Sequence, residues 1–567
     1  MGIYTERKIG TWTGAAILVA AFAVLYGIWL AGGPELRRSE VIYAAAAAEF
    51  SARAPLLVKV HGWSTPECFP LFPLAARLVR ELCPALPMES ILRGLSILML
   101  AAGAGLVYFA ASSRRSSGAG LVAAAMYSTS FLALGAAVEG TPATTNAFLL
   151  AAAQQVFFFY GVRRAEWNRA WICSTILVTL GFFSGGFTVL LFFVFPMLFF
   201  RRPLSVSSKF RRPGFAAALA LVVLAALAWS GAFTSELRQI SPYEVWWHQL
   251  ADVRLGWGLA VFPFAVIFWM LPWSLLMWMP FCVALQSVDE TPIYSRYLRT
   301  LAFSTLALLW LLPEMGRYGL FYAAAPLSIL TGGFYELGVR RYGAKLRSFL
   351  VLAEFFLPTV LLLIAAGSFL PEEWLKRFAS VDLTLGFRER PGFMVAALAL
   401  LVAVLLLALY VHRTRRSDPV WMILLTVSVA SALFCNGLMF PYKSQDHSKR
   451  KFGADVRRAL LGDRAAPGTV LYTRNVRNLT GGLFYAGFSV YRLTPAEGIP
   501  SGAEQIYLLS GDFPQSSEYS WENLFPKDYT YNDHPLKLKL WKGTPPEPIA
   551  ENDASAPASA AKQQEKK

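Results

Sequence analysis

GFFSGGFTVLLFFVFP, Gly181 to Pro196, is apolar on both sides of a Ser-Gly-Gly step. Read as one segment, it is part of a single membrane crossing. Read as two, it is the turn between a pair of short crossings. Charge decides between them. Arg201, Arg202, Lys209, Arg211 and Arg212 follow directly. They share a side with the other basic loops only if 170–183 and 185–200 are separate spans joined by Ser184–Gly186.

Working outward, the same alternation holds along the chain. Arg7 and Lys8 precede the first apolar run, and Arg114 with Arg115 and then Arg163, Arg164 and Arg169 occupy alternate loops. Arg296 and Arg299, the run Arg340, Arg341, Lys345 and Arg347, and the group Arg413, Arg415 and Arg416 continue the series. Apolar runs stand at 11–32, 89–112, 118–138, 142–160, 170–183, 185–200, 213–233, 258–285, 300–313, 318–337, 347–370, 392–411 and 419–440. Each is expected to cross about 30 Å of hydrocarbon. The expected fold is therefore an all-α polytopic membrane domain of about thirteen transmembrane helices, residues 1–440. Its N-terminus is expected in the cytoplasm, and its chain end outside.

Composition agrees with that class. Of 567 residues, 56% are hydrophobic and only 16% charged, with mean hydropathy +0.45. An ordinary soluble domain carries about 25% charged residues. The net charge of +16 sits mostly in short loops, where it sets orientation, so it does not argue for nucleic acid. The first apolar run is too long, and lacks a small-residue cleavage site, to be a removable signal peptide. Cys173, Cys282 and Cys435 lie in apolar runs and read as packing residues. Cys68 and Cys83 share the first outer loop, where a disulfide and a pair of packed thiols are both open.

The outer face then carries the loop 33–88, the tight turn Glu139 to Pro142, and loops near 234–257, 314–317 and 371–391. It also carries a tail from Pro441. The tail opens with a helical stretch, SKRKFGADVRRALLGD. It continues with the alternating runs GTVLYTR, LFYAGFSVYRL, EQIYLLSG and LKLKLWKG, which suit strands. Residues 441–545 are expected to form a small periplasmic α/β domain. The polar, Ala/Pro/Ser-rich 546–567 reads as disordered.

No P-loop, Rossmann glycine fingerprint, HExxH or CxxC pair is present, so no cofactor is expected. With no paired acidic motif such as DxD, no metal is expected either. The chemistry gathers instead in outer loops. In GGPELRRSEVIYAAAAAEF, Gly32 to Phe50, Pro34 suits a first helical position and Glu35 a first turn. Glu40, Tyr43 and Ala44 share one helical face. The stretch is expected to lie along the membrane interface, with Glu40 either solvated or turned into a site. HGWSTPECFPLFPLAARLVREL reads as a turn followed by an amphipathic interfacial helix.

The layout resembles GT-C glycosyltransferases, in particular the bacterial aminoarabinose transferases acting on lipid A and the protein O-mannosyltransferase superfamily. RSEVIYAA is similar to that family's acidic "DE…Y" motif, with Ser39 at the aspartate and Glu40 and Tyr43 matching. GFFSGGFTVLLFFVFP resembles the "LTKGP" turn, with Ser184 in place of lysine. PYEVWWHQLADVRLGWG resembles the aromatic loop ending in arginine, here Arg254. EMGRYGLFYAAAPLSIL resembles the "R/K…Y…P" start of span ten, giving Arg317 and Tyr318. CFPLFPLAARL stands where the family has a lysine beside a proline pair, and carries no lysine. The second acidic position is represented by Glu139, with Asn146 nearby.

The resemblance implies an inverting glycosyltransferase of the bacterial inner membrane. Its donor would be a polyprenyl-phosphate sugar, and its acceptor an envelope lipid, protein or glycan at the periplasmic face. Glu40 is then the expected catalytic base, with Tyr43, Glu139, Arg254, Arg317 and Tyr318 binding substrate. Arginine suits a lipid phosphate through forked, charge-assisted hydrogen bonds. Two other functions remain open: a catalytically impaired homologue acting as a binding or scaffold subunit, and a lipid or glycan transporter.

Overall fold

The computed structural model describes residues 2–27, 35–200, 206–234, 257–312 and 316–367, parts of 395–432, and most of 449–545. Two compact units emerge. The first is Met1–Val60 with Ser64–Asp446, and the second is His61–Trp63 with His447–Lys567.

The first unit is a bundle of apolar helices. Its leading elements are α1 (Gly2–Gly27), α2 (Arg38–Ala48), a two-stranded ribbon β1 (Lys59–Val60) and β2 (Trp63–Ser64), α3 (Leu71–Leu82) and α4 (Met88–Ser112). Then follow α5 (Ser117–Thr129), α6 (Phe131–Ala137), α7 (Ala143–Phe157), α8 (Trp167–Gly185), α9 (Phe187–Met197) and α10 (Pro213–Thr234). The unit continues with α11 (Trp257–Trp269), α12 (Pro292–Leu311), α13 (Phe321–Gly367) and α14 (Val420–Ala432). Among the described residues, three helices are long and apolar enough to cross a membrane, or five if each of two bent pairs is one span.

The Ser-Gly-Gly step does separate two helices. Gly186 has φ +68°, a conformation that costs glycine little, and a Cβ there would meet the Phe69 ring at 2.2 Å. A Cβ on Gly185 would meet Asn146 at 2.1 Å. The turn is thus pressed between the first loop and α7.

Four expected spans differ in the structure. Residues 118–138 bend by 57° between α5 and α6, where Ser130 caps the new helix through Ala133 N–H at 3.4 Å. Residues 258–285 do not form one rod. After α11 the chain turns by 102° into short helical turns at Trp273–Leu276 and Met279–Phe281. Pro272 has no N–H to continue the helix, and the Trp273 indole donates to Thr129 Oγ1 at 3.0 Å inside the bundle. The separate spans expected at 318–337 and 347–370 are one helix, α13, of 47 residues. Its basic middle marks a membrane side but supplies no helix breaker, since Lys and Arg are good helix formers. The thirteen-span count is therefore not reproduced, and the run at 392–411 and the end of 419–440 fall partly outside the described residues.

The first loop is also packed more deeply than expected. Helix α2 starts at Arg38, not near Pro34, and Ala44 to Ala47 are all buried. It is a core helix rather than a half-exposed interfacial one, because its alanines let neighbours close in. Helix α3 keeps the amphipathic character, burying Phe72, Pro73 and Ala76 while Leu78 and Leu82 face outward. Cys68 and Cys83 are both free. They flank α3, whose 12 residues extend about 18 Å, far beyond the ~7 Å that a disulfide tolerates between Cα atoms.

The second unit is an α/β layer. Its elements are α15 (Lys449–Gly462), β3 (Val470–Arg474), α16 (Thr480–Ala486), β4 (Ser489–Leu493), β5 (Ile506–Ser510), β6 (Ser520–Asn523) and β9 (Lys539–Thr544). A separate small ribbon pairs β7 (Thr530–Tyr531) with β8 (His534–Pro535). The main sheet has strand order β4-β3-β5-β9-β6, with β4, β3 and β5 parallel and β9 antiparallel to both its neighbours. Phe452, Val456 and Leu460 of α15 join Leu471, Leu509 and Leu540 in its core. Only the second half of LFYAGFSVYRL is a strand. The first half is α16, ended by Gly487 in the left-handed region at φ +75°. Residues 546–567 lie outside the described residues.

Candidate active site

Two carboxylates and two guanidinium groups interlock at one end of the bundle. Arg37 precedes α2 in an extended conformation, and Glu40 reaches back so that Oε2 accepts from Arg37 N–H at 2.6 Å. This is half of a capping box and fixes the start of the helix. Arg93 comes from the first turns of α4. Its Nε donates to Glu40 Oε1 and its Nη2 to Oε2, each at 2.9 Å, and Nη2 also donates to Glu35 O at 3.0 Å. The α6–α7 loop adds Gly140 N–H, 2.6 Å from Glu40 Oε1. Glu40 is fully buried and Arg93 only 3% exposed.

The Glu40 carboxylate thus accepts four hydrogen bonds, two at each oxygen, which fills an ionised carboxylate's acceptor capacity. A group so engaged is built to hold three segments together. Glu40, expected as the catalytic base, has its acceptor positions occupied by these four donors.

Glu139 stands beside it, buried, and pairs with Arg37 Nη1. The Arg37 side chain is 27% exposed, so this cation is the accessible member of the set. The loop carrying Glu139 is pressed onto α4. A Cβ at Gly140 would fall 2.5 Å from Leu92 Cβ, and Ser96 Oγ donates to Thr141 O at 2.9 Å while accepting from Thr141 N–H at 3.2 Å.

Tyr43, one turn along α2 from Glu40, is half-buried and stacks edge-on against Phe72 at 5.6 Å. Burial raises its hydroxyl pKa above the usual tyrosine range. Tyr322, near the start of α13, packs on Phe192 and lies 3.4 Å from Thr188 Oγ1. Around these groups, Thr141 Oγ1, Thr144 Oγ1, Asn146 Oδ1 and Ser184 Oγ are buried with no hydrogen-bond partner among the described residues. A buried polar atom left unsatisfied costs roughly 1–3 kcal/mol, so such a group marks a place where polar atoms are used.

Arg254 lies outside the described residues. Of Arg317 only the backbone is described, in the helical turn Gly316–Gly319, and Tyr318 is half-buried. The structure brings together Glu40 and the Glu139 loop, with Tyr43 one turn further along α2. It adds Arg37 and Arg93, which sequence reading passed over. Arg93 carried a usable signal: an ionisable residue inside an apolar run is a functional candidate by default.

The fold matches that of ArnT from Cupriavidus metallidurans. Against the structure bound to undecaprenyl phosphate, the TM-score is 0.69 at 13% identity, covering 94% of this chain and 98% of that one. Against the apo form it is 0.59 at 14% identity with the same coverage. The Archaeoglobus fulgidus oligosaccharyltransferase tethered to an acceptor peptide gives 0.44 at 12% identity, over 85% of this chain and 64% of that one. No protein-family model and no curated protein matches the chain.

Proposed function

We propose that this chain is an integral-membrane glycosyltransferase of the GT-C kind. In this role it moves a sugar from a polyprenyl-phosphate donor to an envelope lipid, protein or glycan. The chemistry takes place at the Glu40 end, on the periplasmic face of a bacterial inner membrane. The observation that carries it is the ArnT fold over 94% of the chain, coupled with a buried acid–guanidinium lattice at the bundle's end. That ArnT structure holds undecaprenyl phosphate, the class of carrier proposed here.

In the proposed reaction the acceptor oxygen forms a bond to the anomeric carbon as the bond from that carbon to the phosphate oxygen breaks. The electron pair leaves on the phosphate, and backside attack inverts the centre. Because phosphate is already a good leaving group, the protein's tasks are charge stabilisation and orientation of the acceptor. Arg37 is suited to the first, with a forked cation partly exposed and held from behind by Glu139. Arg254 and Arg317 are proposed as further phosphate contacts. Glu40 acts as a positioning residue that orders Arg93, Arg37 and the Gly140 loop. Glu139, buried behind Arg37, keeps that cation oriented, and the acceptor proton passes to the leaving phosphate as its negative charge develops. If the acceptor is itself a phosphate, it is anionic and has no proton to lose. Thr141, Thr144, Asn146 and Ser184 offer polar atoms to sugar hydroxyls.

A second function, that of a scaffold or binding subunit, is favoured by Ser39 and Ser184 standing where the family has aspartate and lysine. The saturation of Glu40 favours it as well. Mass spectrometry of envelope lipids and glycans from cells with and without the gene separates the two. A sugar modification that disappears with the gene, and with Arg37→Ala expressed at normal level, supports the transferase. An unchanged glycan and lipid profile rejects it.

A further inference from the structure

The opposite end of the bundle holds a second cationic cleft. It is a shallow, partly open cleft, and Arg114, Arg115, Thr291, Tyr294, Ser295 and Gly333 contribute to its walls. Arg115 is compensated, since its Nη2 pairs with Asp289, which also accepts Thr291 N–H at 2.9 Å. Arg114 is not. It pairs with no carboxylate among the described residues, and its Nη1 is buried without a hydrogen-bond partner among them. Instead it is clamped over the Tyr294 ring at 3.5 Å and the Phe158 ring at 4.5 Å. Burial lowers its pKa, and the Arg163 charge pushes in the same direction.

A half-buried guanidinium without a carboxylate partner is stabilised by an anion entering from outside. Aromatic clamping pre-orients the fork, and Thr291 and Ser295 line the same space. Its location narrows the ligand. Arg93 and Arg114 lie near the two ends of α4, about 31 Å apart by helical rise, which equals a hydrocarbon thickness. The cleft therefore opens at the membrane boundary opposite Glu40.

We propose that this cleft binds a phosphate group, supplied by an anionic phospholipid headgroup or by soluble phosphate, with Arg114 as its principal ligand. Nothing in the transfer chemistry above uses it. The site is separate from the Glu40 lattice, and its loss leaves that lattice intact.

The test uses the full chain, purified in nanodiscs of phosphatidylcholine with or without phosphatidylglycerol. Native mass spectrometry counts retained phosphatidylglycerol, and melting is followed against inorganic phosphate. Wild type is expected to retain the anionic lipid or to be stabilised by phosphate, with Arg114→Gln lowering that affinity roughly tenfold or more. Arg114→Lys should keep part of it. Lipid retention without a phosphate response identifies the headgroup, and the converse identifies soluble phosphate. Ser295→Ala, which preserves the clamp, serves if Arg114→Gln does not fold, with an expected loss of roughly threefold to tenfold. Binding equal in wild type and in a folded Arg114→Gln overturns the proposal. So does binding equal to wild type in both Ser295→Ala and Arg114→Lys, or no anion preference in wild type.

Discussion

Arg93 grips Glu40 with both prongs of its guanidinium, Nε on one carboxylate oxygen and Nη2 on the other, each at 2.9 Å with both side chains buried. One contact joins the first loop to α4, and through Gly140 it also ties in the α6–α7 loop. Removing one partner strands the other. Arg93→Met is expected to destabilise the bundle by about 3–5 kcal/mol, whereas Arg93→Met combined with Glu40→Leu should recover much of that loss. Detergent-phase thermal unfolding of the two variants provides the measurement. Equal melting of Arg93→Met and wild type would show that the pair holds nothing.

Gly140 has no room for a side chain. Gly140→Ala must lift the loop from Leu92, pulling its N–H away from Glu40, at a cost of about 1–3 kcal/mol. Limited proteolysis should then cut the 139–142 loop faster, while an unchanged cleavage pattern counts against the tight packing.

Arg37 is the exposed member of the lattice. Arg37→Ala should weaken binding of a polyprenyl phosphate roughly tenfold or more, with Arg37→Lys intermediate because it keeps the charge but not the fork. Melting should fall far less than in Arg93→Met. Titration of the reconstituted protein with undecaprenyl phosphate reads this directly, and an unaltered affinity removes Arg37 from the donor site.

The two first-loop cysteines should respond to alkylation very differently. Cys83 is exposed, whereas Cys68 is buried against Ala46 and Val58, and burial raises its thiol pKa. At pH 7.5 a maleimide should modify Cys83 at least tenfold faster, since the thiolate is the reacting species. Equal rates, or a Cys68–Cys83 bridge in non-reducing mass mapping, would contradict the packing.

Much of the bundle was legible because its signals are local. Apolar length marks a helix, and a Ser-Gly-Gly step followed by five basic residues marks a break. The fold resemblance survived the loss of family residues for the same reason, since layout depends on hydropathy more than on any one side chain. What escaped was non-local. Glu40 looked like an isolated acid because its partners lie 53 and 100 residues away. Arg93 was hidden inside an apolar run whose average hydropathy overwhelmed it. The turn at Pro272 depended on an indole finding Thr129, 144 residues distant. In the second unit, alternation in LFYAGF suited a strand, but Gly487 ended a helix there.

The chain order of the Glu40–Arg93 pair bears on biogenesis. An arginine carried into a bilayer on a nascent helix is opposed even near a helix end, where Arg93 lies, though by less than the about 2.5–3.5 kcal/mol of mid-depth. Glu40 is synthesised 53 residues before Arg93, so its counter-charge has already left the ribosome when α4 reaches the translocon. Neutralisation can therefore accompany insertion instead of waiting for the later helices. The carboxylate that orders the folded lattice is thus made early enough to serve the arginine as a counter-charge during its passage.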